Sequence, residues 1–528
     1  MFSLIPQVAS LRRGDGFFDF SGRIGYTGDH GADKAASLLA EYLEPLMGAA
    51  VQVFRIENGE QAGPGAIRLE TGGSGTVPAA GMDFGFVNEE YTIEITGESA
   101  VMRAPHHAGL LRGIQTLRQL FPVEVYGGTL KQTALRLPAV EIADRPAFKW
   151  RGLHLDVVRH FFSVEELCRF IELAAQHKYN ILHLHLTDDQ GWRLQIDAYP
   201  ELVRTGAFRP CSETVDNDHA DLSVPPVMDS VPYGGFYTKN DIRKILEFAE
   251  RRGITVVPEI EMPGHVQAAV AAYPFLGCSP DNPPGVKTTW RTGKVVLNPN
   301  RRTAGFFRNV LKEVMELFPS RIIHAGGDEV SPEEWQELPE AQRTMSENGL
   351  GSYRELEYFF MAQIAAYIES QGRIPAMWDG GIPVRGTLCT AWLGERGAVI
   401  AARLGLPTVN LNCDRFYFDH YQDDPATQPP AFDRKVVQTC RMVYETPIVS
   451  GQIAGAAREL VLGAEGAVWT EHIPDLAAAE YMTYPRACAL AEKLWRPEEA
   501  CGYDDFIRRL ALHRQRLALQ RVNACPVP

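Results

Sequence analysis

The sequence predicts an α/β protein, a (β/α)8 TIM barrel preceded by a smaller α+β domain. Three observations predict it. The residue pattern changes at Trp150, from strand-like runs with two helical runs to short apolar strands alternating with amphipathic helices. That alternation recurs eight times over ~345 residues, the pattern of a barrel. Polar side chains gather where the apolar strand candidates stop, which is where barrel enzymes place their chemistry. These shifts divide the chain into an α+β domain over 1–147, the barrel over 148–498, and a C-terminal helix and tail over 499–528 packed on the barrel.

In the first domain Ala35–Met47 and His106–Leu120 read as helices, the second with Leu110, Leu111, Ile114, Leu117 and Leu120 at helical spacing. Ala50–Arg55, Ala66–Glu70 and Glu90–Ile95 read as strands. Nothing in this domain has the look of chemistry, and it reads as a scaffold. In the barrel the strand candidates are Gly152–Arg159, Ile181–Asp188, Ile254–Met262, Arg321–Gly327, Ile374–Asp379, Leu388–Leu393, Pro407–Asn412 and Gly466–Glu471. Val164–His177, Lys239–Arg252, Ala304–Leu317 and Tyr353–Ser370 are the clearest intervening helices, and Pro485–Trp495 would be the last. Tyr503–Gln520 reads as one further helix. An open doubly wound sheet is the alternative, but no Gly-x-Gly-x-x-Gly follows a strand. Two long connections, Arg204–Tyr237 and Phe416–Val436, would lie on the face where such enzymes work.

Composition narrows the function. The chain has 528 residues, 45 % hydrophobic and 22 % charged, with a net charge of -14. An acidic surface repels phosphate backbones and anionic lipid, so no nucleic-acid partner is expected. No apolar run approaches the roughly 18 residues of a membrane span, so no membrane insertion is expected. The nine cysteines are odd in number and form no Cys-x-x-Cys, which argues against a disulfide framework or a zinc site. The N-terminus lacks a basic segment followed by a long apolar run, so a cytoplasmic protein is expected; a chain that had lost its leader would read the same way.

The strand ends supply a consistent set. They offer Asp156 and Arg159, then His185, Asp188 and Asp189, then Glu259, Glu261 and His265, then Asp328 and Glu329. The later ends offer Trp378 and Asp379, Trp392, then Asn410 and Asn412 with Tyr417 and Asp419 beyond, and finally Trp469 and Glu471. Aromatic faces stack on the apolar face of a sugar ring, while carboxylates and an arginine bind its hydroxyls. This mixture suits carbohydrate better than phosphate or nucleotide. Within it, Gly326-Gly327-Asp328-Glu329 is the sharpest feature. Neighbours on a regular strand point to opposite faces, and two glycines let the backbone distort so that both carboxylates reach one site. Adjacent residues do not easily straddle a glycosidic bond as an acid and a nucleophile must. One carboxyl can donate a proton, and the geometry points to a nucleophile supplied by the substrate.

At these residues the chain resembles glycoside hydrolase family 20, the β-N-acetylhexosaminidases. The resemblance is carried, in order along nearly the whole chain, by Arg151 to Phe161, His183 to Arg193, Tyr233 to Tyr237, Pro258 to His265, His324 to Val330, Tyr417-Phe-Asp419 and Trp469-Thr-Glu471. It implies a retaining exo-β-N-acetylhexosaminidase acting on terminal GlcNAc or GalNAc of glycans or glycoconjugates, with no cofactor and no metal. Glu329 would be the general acid and then the base on water, and Asp328 would orient the 2-acetamido group. The acetamido oxygen would attack the anomeric carbon to give an oxazolinium ion. Tyr417 would donate to the acetamido oxygen, and Trp378, Trp392 and Trp469 would wall the pocket. Arg159, Asp419 and Glu471 would hold hydroxyls, while Asp188 and His265 would support the catalytic pair. A homodimer is open, since barrel loops in this family can be completed by a neighbour.

Two departures stand out. No Trp lies between 392 and 469, where the family often has one, and Phe432 is the candidate substitute. Glu261 stands where the family more often has Asp, apart from the catalytic pair. Two other functions are weighed beside the leading one. His183-x-His185 on a strand can be a metal pair, as in a metal-dependent barrel hydrolase. An inactive carbohydrate-binding barrel would keep the aromatic residues, but it would have no need of an intact Asp328, Glu329 and Tyr417.

Overall fold

A computed structural model describes residues 2–28, 30–57, 62–72, 82–128, 135–214, 225–380, 384–433, 435–496 and 502–526. The N-terminal sheet has seven strands: β1 (Ser10–Phe20), β2 (Arg23–Thr27), β3 (Gln52–Arg55), β4 (Ala66–Thr71), β5 (Tyr91–Ile95), β6 (Ala100–Ala104) and β7 (Leu135–Asp144), in the order β1-β7-β5-β6-β4-β2-β3. Helices α1 (His30–Met47) and α2 (His107–Leu120) bury one face of the sheet.

Four of these strands escape a reading of the sequence, for physical reasons. β1 is mostly exposed, lies at the sheet edge and is bulged between Arg13 and Phe17, so it shows no apolar alternation. β7 contains Pro138, a residue that argues against a strand interior. β2 and β6 are five residues each.

The barrel closes through eight parallel strands: β8 (Trp150–Asp156), β9 (Ile181–His185), β10 (Thr255–Glu259), β11 (Ile322–His324), β12 (Ile374–Trp378), β13 (Leu388–Ala391), β14 (Thr408–Asn410) and β15 (Val461–Val468). All eight candidates are strands. The first seven stop one to three residues earlier than expected, because the polar residues after them turn into the site. The eighth lies further back, at Val461–Val468, because Gly463, Glu465 and Gly466 interrupt its apolar pattern. The barrel helices include α3 (Val164–Gln176), α4 (Lys239–Arg251), α5 (Arg301–Leu317), α6 (Tyr353–Ser370), α7 (Gly394–Arg403) and α8 (Arg486–Trp495). Ser163 and Thr238 close capping boxes at the starts of α3 and α4. Of the two long connections, residues 215–224 of the first and 434 of the second lie outside the described residues.

Parallel register stacks ionisable side chains in layers inside the barrel. Asp156 pairs with His185, His185 with Glu259, and Glu259 with His324, so one layer crosses four strands. All four are buried.

The last helix, α9 (Tyr503–Leu519), touches more than the barrel. Arg509 pairs with Glu492 and reaches the Leu4 carbonyl at 2.8 Å, and Arg516 reaches the Ser3 carbonyl at 2.7 Å. The two large units meet at Asp144. Its carboxylate accepts from Lys178 Nζ at 2.9 Å, from Trp495 Nε1 at 2.9 and 3.0 Å, and from the Tyr91 hydroxyl. Trp495, the last residue of α8, is buried in the core of the N-terminal domain. Replacing Asp144 by Ala leaves the buried Lys178 without its counter-ion, its Nζ held by the Tyr91 hydroxyl at 2.9 Å. Such a change costs about 3–5 kcal/mol. Denaturant unfolding of Asp144→Ala is expected to show a loss of that size, and a loss below about 1 kcal/mol would remove Asp144 as the joint.

Candidate active site

Beyond β11 the chain turns through Gly326 (φ 65°) and Gly327 (φ 100°) before Asp328, and Glu329 itself takes φ 49°. The turn is held by His324, whose Nδ1 accepts from the Gly326 N–H at 3.1 Å while Nε2 meets Thr390 Oγ1 at 2.7 Å. A Cβ on Gly326 would lie 1.7 Å from Glu261 Oε2, so any side chain there displaces that carboxyl, and the positive φ adds strain. The result brings both carboxyls onto one imidazole. His265 Nε2 is 3.6 Å from Asp328 Oδ2 and 3.5 Å from Glu329 Oε2. Glu329 Oε2 also accepts from Thr292 Oγ1 at 3.0 Å.

Behind His265 runs a chain of alternating charge. Its Nδ1 is 3.1 Å from Asp188 Oδ1. Asp188 Oδ2 accepts from Arg159 Nη2 at 2.8 Å and from His185 Nε2 at 3.0 Å. His185 Nδ1 rests on Glu259 Oε2 at 2.6 Å. Arg159 is fixed further by Asp156 at 3.2 Å and Gln190 at 3.1 Å, and its Nη2 is 3.9 Å from Glu471 Oε1.

Aromatic residues form the other wall. Trp378 and Trp469 lie 6.1 Å apart between ring centres, Tyr417 and Trp469 also 6.1 Å, and Trp392 stacks on Tyr417 at 6.5 Å. The Arg159 guanidinium sits 5.2 Å over the Trp469 ring. Three buried carboxylate oxygens here, Asp328 Oδ1, Asp419 Oδ1 and Glu471 Oε2, have no hydrogen-bond partner among the described residues, nor does the Trp392 indole N–H. Buried polar atoms in this state mark a place where a ligand's hydroxyl and amide groups belong. Phe432 packs edge-on against His420 at 5.6 Å, and its N–H donates to the Asp419 carbonyl.

Sequence comparison agrees with this geometry. The model of the glycosyl hydrolase family 20 catalytic domain matches residues 148–498, and that of the family's domain 2 matches residues 1–145.

The chain belongs to glycosyl hydrolase family 20.

It carries the catalytic domain of a glycoside hydrolase of the β-N-acetylhexosaminidase type. A β-hexosaminidase of Porphyromonas gingivalis is 34 % identical over 495 residues, 92 % of this chain and 60 % of that protein. One from Akkermansia muciniphila is 32 % identical over 444 residues, 82 % of this chain and 85 % of that protein. The structure resembles that of a mutant Streptomyces plicatus β-hexosaminidase in complex with its product GlcNAc, with a TM-score of 0.82 and 29 % identity over 100 % of this chain and 97 % of that one.

In this family 20 site the electrostatics separate the two neighbouring carboxyls. Burial raises Asp328 to about 6, against the pull of His265. Glu329, whose side chain is 36 % exposed, is lowered by its hydrogen bond from His265. Burial works against charge on His265, but Asp188 and Asp328 outweigh it and hold the ring well above its ordinary value, as an imidazolium. Burial also works against His185, and Glu259 and Asp188 outweigh it to about 10. Burial raises both Asp419 and Glu471 to about 7.

One expectation needs correction. Glu261 is not apart from the pair: it packs behind Gly326, and burial with the charges of Asp328 and Glu259 pushes its carboxyl well up. Thr292 was not legible in the sequence, since a lone threonine in a long loop carries no pattern. Glu259 lies at a strand end, where its residue type alone does not mark it as a partner of both His185 and Trp378. The metal reading of His183-x-His185 meets a different use of those donors. Clusters with ligand spacing do exist, at His154-His185-Glu259 and His183-Glu259-His324. Both ring nitrogens of His185 already face carboxylates, and those of His324 are taken by Gly326 and Thr390.

Gly326→Ala would force both the turn and Glu261 to move. A displacement near 1 Å in a catalytic group costs about 10²-fold. The variant is expected to lose about that factor in kcat/KM on an aryl N-acetyl-β-glucosaminide while its thermal unfolding stays cooperative.

Proposed function

We propose that the chain is a retaining exo-β-N-acetylhexosaminidase that removes terminal GlcNAc or GalNAc by substrate-assisted catalysis. One observation carries this reading: Asp328 and Glu329 stand on the same imidazolium, 3.6 and 3.5 Å from His265 Nε2. Neighbours in sequence tied to one imidazolium are poorly placed to flank a sugar from opposite faces. An ordinary retaining enzyme needs its acid and nucleophile on opposite faces, about 5–5.5 Å apart. This favours an attacking group that comes with the substrate, and a 2-acetamido oxygen can reach the anomeric carbon of its own ring.

Glu329 protonates the glycosidic oxygen as the acetamido oxygen displaces it, and the leaving alcohol carries that proton away. Asp328 faces the acetamido N–H and stabilises the positive charge of the oxazolinium ring. Tyr417 donates its hydroxyl to the acetamido oxygen, with Trp378, Trp392 and Trp469 around the methyl group and the ring. Glu329, now a carboxylate, takes a proton from water, and the water oxygen opens the ring with net retention. Asp419 and Glu471 receive sugar hydroxyls, and Arg159 binds beside them. In the sugar-free site Glu329 is lowered, whereas its first task needs a proton. A bound sugar and aglycone replace the water around its exposed part, and desolvation raises a carboxyl.

Hydrolysis of an aryl N-acetyl-β-glucosaminide, with and without chelator, tests the reading. Turnover that chelator leaves unchanged is expected. Loss with chelator would favour the metal-dependent hydrolase, and no turnover by folded protein would favour the inactive sugar-binding barrel. Glu329→Gln is expected to lose most on poor leaving groups, and Asp328→Asn on all substrates. An unchanged kcat in Asp328→Asn would defeat the acetamido-assisted account.

The pH profile follows from Asp328. Its ionised form is the one that stabilises the oxazolinium, so protonation below about 6 removes activity. An acidic limb in kcat/KM centred near pH 6 is expected, and it should vanish in Asp328→Asn measured at its residual rate.

A further inference from the structure

Glu259 ends β10, is fully buried and lies one layer below the sugar site. Its two oxygens serve two different walls. Oε1 accepts from the Trp378 indole N–H at 2.5 Å, and the same N–H is 3.3 Å from Glu261 Oε1. Oε2 accepts from His185 Nδ1 at 2.6 Å. The His183 Nε2 atom stands 3.3 Å away. We infer that Glu259 is a positioning residue for the reaction: one buried carboxylate sets both the Trp378 wall of the acetamido pocket and the cation chain that orders Asp328 and Glu329. The inference rests on the acetamido-assisted reading above.

His185 faces a carboxylate with each ring nitrogen, Glu259 at 2.6 Å and Asp188 at 3.0 Å. Carboxylates only accept, so both nitrogens must carry protons and the ring must be an imidazolium. A neutral residue at 259 removes the charge that sustains it. A neutral imidazole has one N–H; a glutamine amide at position 259 can donate to the bare Nδ1, so Asp188 then keeps a hydrogen bond from Nε2 but loses the positive charge that strengthened it. Asp188 is the carboxylate on which His265 Nδ1 rests at 3.1 Å, and the other nitrogen of that ring meets the catalytic pair. The second arm is shorter. A neutral partner weakens the charge-assisted bond that fixes the Trp378 ring plane, and leaves the indole to turn toward Glu261.

Substrate and oxazolinium differ in how closely the acetamido group must be held. A residue that positions the pocket and the pair therefore acts on the transition state more than on the bound product. Glu259→Gln keeps the shape of the side chain and removes its charge. In the full-length chain it is expected to lower kcat on an aryl N-acetyl-β-glucosaminide by about 30-fold with KM within about threefold. A thiazoline mimic of the oxazolinium should bind about 30-fold more weakly, while GlcNAc binds within about threefold of the unmodified chain. A purely structural role predicts that both ligands weaken alike, or neither. If the unmodified chain binds thiazoline no tighter than GlcNAc, the acetamido-assisted reading fails. If it binds thiazoline tightly and Glu259→Gln binds it equally well, this inference fails. Should Glu259→Gln not fold, His185→Gln carries the same expected split, and unchanged thiazoline binding there overturns the inference. If neither variant folds, the two groups are structural and the inference is overturned as well.

Discussion

Everything at the site hangs on the carboxylate of Asp188. It is almost fully buried and meets three cationic side chains: Arg159, His185 and His265. Burial alone would raise its pKa, and Arg159 with His265 drives it well below the ordinary range. A charge in such a place is tolerated only when every partner is present, and removing one partner typically costs several kcal/mol. Asp188 thereby fixes which nitrogen of His265 points forward. It also fixes where Arg159 stands against Trp469 and Glu471. The short hairpin of Thr187–Asp188 and Gly191–Trp192 that carries it lies directly beyond β9, so the barrel register sets its position.

The interior of this barrel differs from a hydrocarbon core. Its upper layers hold His154, His183, His185, His324, Glu259 and Glu465, all buried. Burial keeps His154 and His324 neutral, while the charges of the neighbouring carboxylates hold His183 and His185 as cations, so the layer avoids a row of like charges. The aromatic rings above them give the site a low-dielectric wall, which strengthens each remaining charge interaction. The same wall separates Asp328 from Glu329. One is enclosed and raised, the other is half open and lowered, although they are neighbours in sequence.

Much of this was legible from residues alone. α6 has the bounds that its apolar spacing predicts, Tyr353–Ser370, and all eight barrel strands are present. Side chains named from strand ends, among them Arg159, Asp188, His265, Trp378, Tyr417 and Trp469, do come together, because a closed parallel sheet brings every strand end to one rim. The N-terminal sheet was less legible. β1 carries charge on an exposed edge and β7 contains a proline, so neither shows the pattern that marks a strand. At the site, Thr292 could not be found by pattern, since its partner lies 37 residues away. The proximity of Glu261 to Asp328 depends on the Gly326 turn, a feature of backbone angle and not of residue type.

Trp495 has a consequence for how the molecule comes to exist. Among the described residues, the core of the N-terminal domain is built from the first 142 residues of the chain, except for this one ring. Synthesis proceeds from the N-terminus at about 5–20 residues per second. The small domain must therefore wait on the ribosome with an open seam, and with Asp144 lacking both its barrel-borne donors, Lys178 and Trp495, at first. The seam closes only when α8 emerges near the end of translation. Sealing the first domain and completing the barrel become one event, and neither half is finished before the other.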